Sequence, residues 1–242
     1  MRTSNKILAG TFIAILLILT SIHLALYAKY KSNDFITTKY LHEERYDSYP
    51  LKGIESVSLS GLQNVTIIPS DTARVEIEKN GDRRLVHDFA SGVLTIKGDT
   101  TITNNNGMAE RIRSWRNVII YLPLHQDIKS DDCEITIKGG LDSLKAPSVS
   151  ASMNETTLHV GFGQRSDNIS GNYFNKLSIT KYSHGNFDMS EYAVVRDISM
   201  DLTSSGFEDN NASFGSITVN ADSSSTVKLN GRNIAKTKFT LK

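Results

Sequence analysis

The chain has 242 residues, of which 39% are hydrophobic and 22% are charged, a balance that is typical of a globular protein and too apolar for intrinsic disorder. Lys and Arg number 27 against 26 Asp and Glu, a net charge of +1. Four of the basic residues lie near the N-terminus, and the weakly acidic remainder argues against a nucleic-acid surface, which needs clustered positive charge. The single cysteine, Cys133, excludes an intrachain disulfide and a multi-cysteine zinc site. We predict that Cys133 is a small buried strand residue.

An apolar run without charged residues lies near the start of the chain, from Ile7 to Ala28. As a helix it would be roughly 33 Å long, close to the ~30 Å thickness of a bilayer core. Lys29 and Lys31 follow directly, as expected of residues at a membrane interface. We therefore predict one transmembrane helix, with residues 1–31 as a membrane anchor.

A cleaved secretory signal is the alternative interpretation of this run. Cleavage after Ala28 would place Leu26 at position −3, where a small residue is required, and the run has no cysteine for lipid attachment. We favour an uncleaved span with a cytoplasmic N-terminus. A β-rich body behind one N-terminal span is most often exported, so we expect the body on the extracytoplasmic, periplasmic side of a bacterial cell envelope.

The residue pattern in the rest of the chain predicts a polar spacer followed by strands. Residues 32–50 are polar, lack a clear period and are predicted to form a spacer. After Leu51, apolar and polar residues alternate with period two, as at Val57 and Leu59, and Gly-, Asn- and Asp-rich turns separate the runs. These features predict an all-β body.

A longer repeat appears from Cys133 onward. Inward-facing pairs are predicted to begin at nearly even intervals, at Ile135, Leu158, Leu177, Ile198, Ile217 and Phe239. A second apolar series falls between them, at Val149, Ile169, Phe187, Phe207 and Val227. Two interleaved series with a common period of about 20 residues predict a β-solenoid, in which like positions of successive coils stack. We expect Ile217 and Val219 to stack on Ile198 and Met200, and Val227 on Phe207.

A β-sandwich or meander is the alternative fold, because its strands also recur every ~8–12 residues. We favour the solenoid and assign residues 51–242 to it, with 51–125 as irregular first coils or a cap and 133–242 as regular coils. An uncapped solenoid end would present free strand edges, which favour self-association.

The body resembles a bacterial family, the auto-transporter adhesins with a head GIN domain. The resemblance covers about residues 52–242 and is carried by IESVSLSGLQNVTIIPSDTARVEIEKN, LVHDFASGVLTIKGD and NVIIYLP, followed by LTSSGFED and ADSSSTVKLNG. It implies a right-handed β-solenoid, and members have no assigned biochemical function. This chain departs from the family in two respects: Ser204-Ser205-Gly206 and Ser223-Ser224-Ser225 stand where Gly-Ser-Gly is usual, and the N-terminal segment is a membrane span.

Motifs for catalysis or cofactor binding are not found in the sequence. There is no phosphate-binding glycine loop and no H-E-x-x-H, so we expect no cofactor, no bound metal and no catalytic residue. The residues nearest to a metal-ligand set are His159, His184, Asp188 and Glu191, which we interpret as solvated side chains. Asp131, Asp132 and Glu134 resemble half of a glycosidase acid pair, but no second acidic cluster is singled out.

The segment ERIRSWRN is the local feature that most favours partner binding. It surrounds the only tryptophan with arginines, and Trp and Arg are enriched where partners dock. The candidate partner-binding residues are Arg111, Arg113, Trp115 and Arg116. The alternative is that Trp115 covers one end of the solenoid as a plug.

The sequence therefore favours a non-catalytic, membrane-anchored extracytoplasmic scaffold or binding module with a protein or glycan partner. A cell-surface adhesin that binds protein or glycan is the first alternative, and a carbohydrate-active enzyme is the second. Raised carboxyl pKa values in one groove would favour the enzyme.

Overall fold

The structure, a computed structural model, describes residues 3–31, 43–79, 85–98, 101–103, 109–111, 113–123, 125–161 and 172–242. It contains two compact units, Met1–Glu44 and Arg45–Lys242. Strands make up 59% of the structure, with two large sheets and one apolar N-terminal helix. The prediction of a mostly β protein behind one apolar helix is confirmed.

The first unit contains helix α1 (Thr3–Lys31). Its segment Gly10–Lys29 is long and apolar enough to cross a membrane, and none of that segment is buried within the protein. The hydroxyls of Thr20 and Ser21 donate hydrogen bonds to the carbonyls of Leu16 and Leu17, so these polar groups are satisfied within the helix. A signal sequence near the N-terminus can meet the same length and composition criteria, so α1 is compatible with a membrane span and with a signal peptide.

The second unit contains two nine-stranded sheets and a separate strand pair. In pairing order, sheet 1 consists of β1 (Tyr46–Pro50), β4 (Arg74–Glu78), β9 (Ser114–Leu122), β3 (Leu62–Pro69), β11 (Glu134–Ile137), β13 (Thr157–Val160), β15 (Asn186–Met189), β17 (Gly206–Glu208) and β19 (Thr226–Lys228). Sheet 2 consists of β20 (Thr237–Leu241), β18 (Ser213–Ala221), β16 (Ala193–Thr203), β14 (Asn172–Tyr182), β12 (Ser148–Asn154), β10 (His125–Asp131), β2 (Ser56–Ser60), β6 (Val93–Gly98) and β5 (Leu85–Ala90). Strands β7 (Thr101–Thr103) and β8 (Ala109–Arg111) pair with each other, and the short helix α2 (Gly231–Ile234) follows β19.

Successive strands from β10 to β20 alternate between sheet 2 and sheet 1, and each pairs in parallel with the next strand of its own sheet. At the other end of the sheets, β1, β4 and β9 pair antiparallel, as do β5 and β6, so both sheets are mixed and neither is closed. Tyr46–Pro50, which the sequence placed in the spacer, is therefore a strand of sheet 1, and this assignment is corrected.

The buried side chains of both sheets form one continuous apolar cluster. Register pairs in sheet 2 place Ile217 opposite Ile198 and Val219 opposite Met200. In sheet 1, Val227 lies opposite Phe207. These three predicted stacking contacts are confirmed.

The two predicted apolar series do not each follow one sheet. Ile135 and Leu158 lie in sheet 1, whereas Leu177 lies in sheet 2. Val149 lies in sheet 2 and Phe187 in sheet 1, and Ile169 is outside the described residues. The reason is that the connection between β13 and β14 is longer than the others. A constant period of about 20 residues is too short to span it, so each predicted series passes from one sheet to the other at this point.

The true register positions in sheet 2 are unevenly spaced at first and nearly evenly spaced after Ile179; in chain order they are Ile128, Ala151, Ile179, Met200, Val219 and Phe239. The last of these side chains, Phe239, was predicted to be inward and buried, but it is 54% exposed because β20 is the edge strand of sheet 2. The predicted period is therefore regular only after Ile179, in about the last quarter of the chain.

Left-handed residues mark the connections out of sheet 2. One such residue, with φ between 44° and 64°, directly follows each of five strands, namely Gly61, Asp132, Glu155, Ser183 and Ser204. A left-handed residue turns the chain sharply, and short polar side chains tolerate this conformation better than most others. The same backbone turn therefore recurs five times along one side of the second unit.

Lys181 interrupts the apolar interior of β14. It lies between Met153 and Leu202 in register, it is fully buried, and its Nζ has no hydrogen-bond partner in the part of the chain that the structure describes. Burial lowers the pKa of the Lys181 amine from 10.5 to about 8. Because the unfolded chain keeps its proton to a higher pH than the folded chain, Lys181 lowers stability below about pH 8, and this penalty is relieved as the pH rises toward 10.5.

We expect Lys181→Met to stabilise the protein by about 1–3 kcal/mol at pH 7, because the substitution removes a buried amine without a partner. Urea unfolding of the full chain in detergent, at pH 7 and pH 9.5, measures this gain, which should shrink at the higher pH. Lys176→Met, at an exposed position of the same strand, is the control and should change stability by less than ~0.5 kcal/mol. A loss of stability in Lys181→Met would contradict this account.

Candidate binding groove on sheet 1

Outward side chains of β15, β17 and β19 form two rows on the face of sheet 1. The register pairs Asn186 with Gly206 and Gly206 with Thr226, which makes the first row. It also pairs Asp188 with Glu208 and Glu208 with Lys228, and His159 of β13 lies opposite Asp188, which makes the second row. Neighbouring strands are ~4.8 Å apart, so each row is a close-spaced line of polar side chains.

The first row is the floor of a groove of about 540 Å³. The second row lines one side, and residues that connect sheet 2 to sheet 1, including His184, Ser204 and Ser224, line the other. The floor is low at Gly206, where an added Cβ would meet only the Oδ1 of Asn186, at 3.1 Å. We call this feature the sheet 1 groove.

His159 is held between two carboxylates from neighbouring strands. Its Nδ1 lies 2.6 Å from Oδ1 of Asp188, and its Nε2 lies 3.7 Å from Oε1 of Glu134. The hydrogen bond to Asp188 raises the pKa of His159 above its ordinary value of 6.5, and the charge of Glu134 acts in the same direction. Three strands are therefore joined by one imidazole whose charge depends on pH near neutrality.

Asp222 holds the serine residues on the opposite side of the groove in place through hydrogen bonds. Its carboxylate accepts hydrogen bonds from the hydroxyls of Ser225 and Ser224 and from the backbone N–H of Ser204, which lower the pKa of Asp222 to about 2. The hydroxyls of Ser204 and Ser224 lie 2.8 Å apart. This side is therefore a preorganised line of hydroxyl groups.

Two members of the residue set considered for metal binding are brought together, and the others are not part of a cluster. His159 and Asp188 are in contact, and His184 lines the same groove. Glu191 is exposed in the turn after β15. Within the described residues, no group of three His, Cys, Asp or Glu side chains is placed to hold a metal ion.

The three acids considered as half of a glycosidase pair point to three different partners. Asp131 accepts a hydrogen bond from the Asn154 amide at 2.6 Å, and Asp132 forms an ion pair with Arg113 at 2.8 Å. Glu134 faces His159. They do not converge on one point, so they do not form a shared acid site.

The candidate partner-binding residues are placed in different surroundings. Trp115 lies in strand β9 with 64% of its surface exposed, so the plug alternative is wrong. Arg113 is tied to Asp132 and to the carbonyl of Glu155, both left-handed residues of the connections. Arg116 is half-buried, and the side chain of Arg111 is outside the described residues. A partner-binding role for this segment stays a prediction.

Cys133 is fully buried, as predicted. Its thiol donates a hydrogen bond to the carbonyl of Asp131 at 3.2 Å, and burial raises its pKa to about 11. The thiol is therefore protonated at neutral pH and packs as an apolar side chain.

Sequence reasoning missed Glu208 and Lys228, which line the groove and form an ion pair at 3.3 Å. The signal was present, because Asp188, Glu208 and Lys228 are equally spaced along the chain. A search for polar residues at the repeat period, in addition to apolar residues, would have found this row.

No family model and no curated protein matches this chain. Among solved structures, the chain is similar to a "putative adhesin" from Parabacteroides merdae ATCC 43184, with 10% identity, coverage of 75% of this chain and 79% of that chain, and a TM-score of 0.45. It is similar to a "putative lipid binding protein" from Parabacteroides distasonis ATCC 8503, with 13% identity, coverage of 76% and 81%, and a TM-score of 0.36. It is also similar to a "putative cell adhesion protein" from Clostridium sporogenes ATCC 15579, with 10% identity, coverage of 82% and 100%, and a TM-score of 0.33. At these identities and TM-scores, the similarities do not assign an activity or a ligand to this chain.

We expect His159→Gln to reduce the melting temperature more at pH 5.5 than at pH 8.5. The folded-state pKa is raised, so the stabilisation from His159 is fully present below about pH 6.5 and is lost as the pH rises through the folded-state value. Thermal unfolding of the full chain across this range measures the difference. His125→Gln, at an exposed position of β10, is the control, and an equal effect of His159→Gln at both pH values would contradict the proposed pairing.

Proposed function

We propose that the protein is a non-catalytic, membrane-anchored extracytoplasmic binding module that acts through the surface of a right-handed β-solenoid. The observation that carries this proposal is the sheet 1 groove, a concave polar surface that runs across β13, β15, β17 and β19. Its carboxylates are paired with basic groups, Asp188 with His159 and Glu208 with Lys228.

Two features support the solenoid. Successive strands from β10 to β20 alternate between the two sheets, and they pair in parallel within each sheet. A β-sandwich is built from antiparallel sheets, so this pattern favours coils that stack. Membership of the auto-transporter adhesins with a head GIN domain is part of the same proposal and rests on the quoted sequence segments.

A cell-surface adhesin is the second candidate function. It is favoured by the exposed Trp115, because a Trp ring in solvent is an anchor for a protein partner and its face can stack on a sugar. The two candidates differ in where the body lies. A membrane span in a two-membrane cell keeps the body in the periplasm, whereas an adhesin has to reach the cell surface.

We expect a tag placed after Lys242 to resist protease on intact cells and to be digested after the outer layer is removed. The physical reason is that α1 would anchor the body below the outer membrane. Immunoblotting of the tag measures this, with a known periplasmic protein and a known surface protein as controls. Digestion on intact cells would instead favour the adhesin.

The binding function is tested with a photo-crosslinking amino acid at Thr226, an exposed residue that lines the groove. We expect a covalent adduct after irradiation of living cells, because a ligand in the groove would contact this side chain. Ser150, exposed on β12 of sheet 2, is the matched control position and should give no adduct. Equal yields at both positions, or no adduct at Thr226, would contradict a binding role of the groove.

A further inference from the structure

We propose that the sheet 1 groove binds a linear, uncharged glycan that lies across the strands. This inference rests on the proposed binding function and names the chemical class of its ligand.

The lining groups are those that bind hydroxyls. The floor and one side present the amide of Asn186 and the hydroxyls of Thr226, Ser204 and Ser224. Because Ser224 donates to Asp222 and Ser204 lies 2.8 Å from Ser224, these two hydroxyls meet a ligand as acceptors, whereas the Asn186 amide can donate as well as accept. The other side presents the carboxylates of Asp188 and Glu208, whose lone pairs accept strong hydrogen bonds from O–H donors. A polyhydroxylated ligand therefore meets several acceptors for its O–H groups in this groove.

The groove has no excess of positive charge, which argues against an anionic ligand. The two carboxylates in the second row face one lysine, Lys228, and one imidazole, His159, whose pKa is raised. A nucleic acid or a polyanionic chain needs an excess of positive charge that this groove does not have. An uncharged ligand does not need such an excess of positive charge.

A peptide fits the groove less well. Peptides bind sheets by adding a strand to a free edge or by placing side chains in apolar pockets. The groove lies on the face of sheet 1, where the backbone groups of β15 and β17 are already paired. Phe187 and Phe207 point inward and are 0% and 2% exposed, so the floor offers no apolar pocket.

The second row runs across four strands, so its polar side chains follow one another every ~4.8 Å, roughly 14 Å in all. An extended ligand contacts such a line of side chains better than a compact ligand does. Gly206 leaves the floor open at the centre of this path.

The test uses the full chain in nanodiscs and three probes, cellohexaose, chitohexaose and hexagalacturonate, with isothermal titration calorimetry and saturation-transfer NMR. At least one of the two uncharged hexamers should bind. Gly206→Leu should weaken that binding at least ten-fold, because the side chain fills the floor and its first contact is the movable end of Asn186. Ser150→Leu, which adds the same side chain to the outer face of sheet 2, should leave the affinity unchanged.

Asp188→Asn is the second variant, because it keeps the shape of the side chain and removes its charge; it should also weaken binding about ten-fold. The proposal is overturned if neither uncharged hexamer binds, if hexagalacturonate binds more tightly than both, or if binding survives in a folded Gly206→Leu variant. A protein adduct at Thr226 together with no glycan binding would leave the binding function in place and refute the glycan.

Discussion

Parallel backbone pairing between strands one repeat apart in the sequence is the constraint on which the second unit depends. Each strand from β11 to β18 is paired on both sides, so its register is fixed by two neighbours. A shift by a single position would exchange Ile198 and Met200 with the polar residues between them and would expose the core. The same register that buries the apolar positions aligns the polar ones outside, so core and groove have a common cause.

The connections keep this register from one strand pair to the next. Left-handed residues follow five strands of sheet 2, and hydrogen bonds tie them to neighbouring segments: the Ser183 hydroxyl donates to Oδ1 of Asn154, and the backbone N–H of Ser204 donates to the Asp222 carboxylate. Arg113 joins two of them. These bonds are local in space but join residues that are far apart in sequence, so each connection is positioned by its neighbours and not by its own sequence alone.

The sequence was informative where its repeat is regular and misleading where it is not. Apolar alternation predicted the strands and the contacts of Val227 with Phe207 and of Ile217 with Ile198, because the members of each pair are separated by one predicted period. The predicted period of about 20 residues failed before Leu177, because the interval from Ala151 to Ile179 is longer than one period. The length of that interval depends on a connection that the hydrophobic pattern does not predict. The groove was missed because its residues are polar and lie in different coils of the predicted repeat. Trp115, in contrast, was singled out by residue type alone, and it is exposed on β9.

The face of a sheet and its edge differ as binding surfaces, because backbone groups are paired on the face and unpaired at the edge. The described edge strand β20 carries Lys238 and is followed by Lys242, and lysine on an edge opposes the addition of a further strand. The face of sheet 1 has no such conflict, because its backbone groups are already paired and only side chains remain to meet a ligand. Substitution of an outward residue there changes the surface without removing a core contact. A stack of parallel strands can therefore vary its outward side chains while its register stays fixed. Gly206 is an example, because its backbone is not left-handed and a side chain could stand there. The depth of the groove at this position therefore depends on the absence of a side chain and not on a turn.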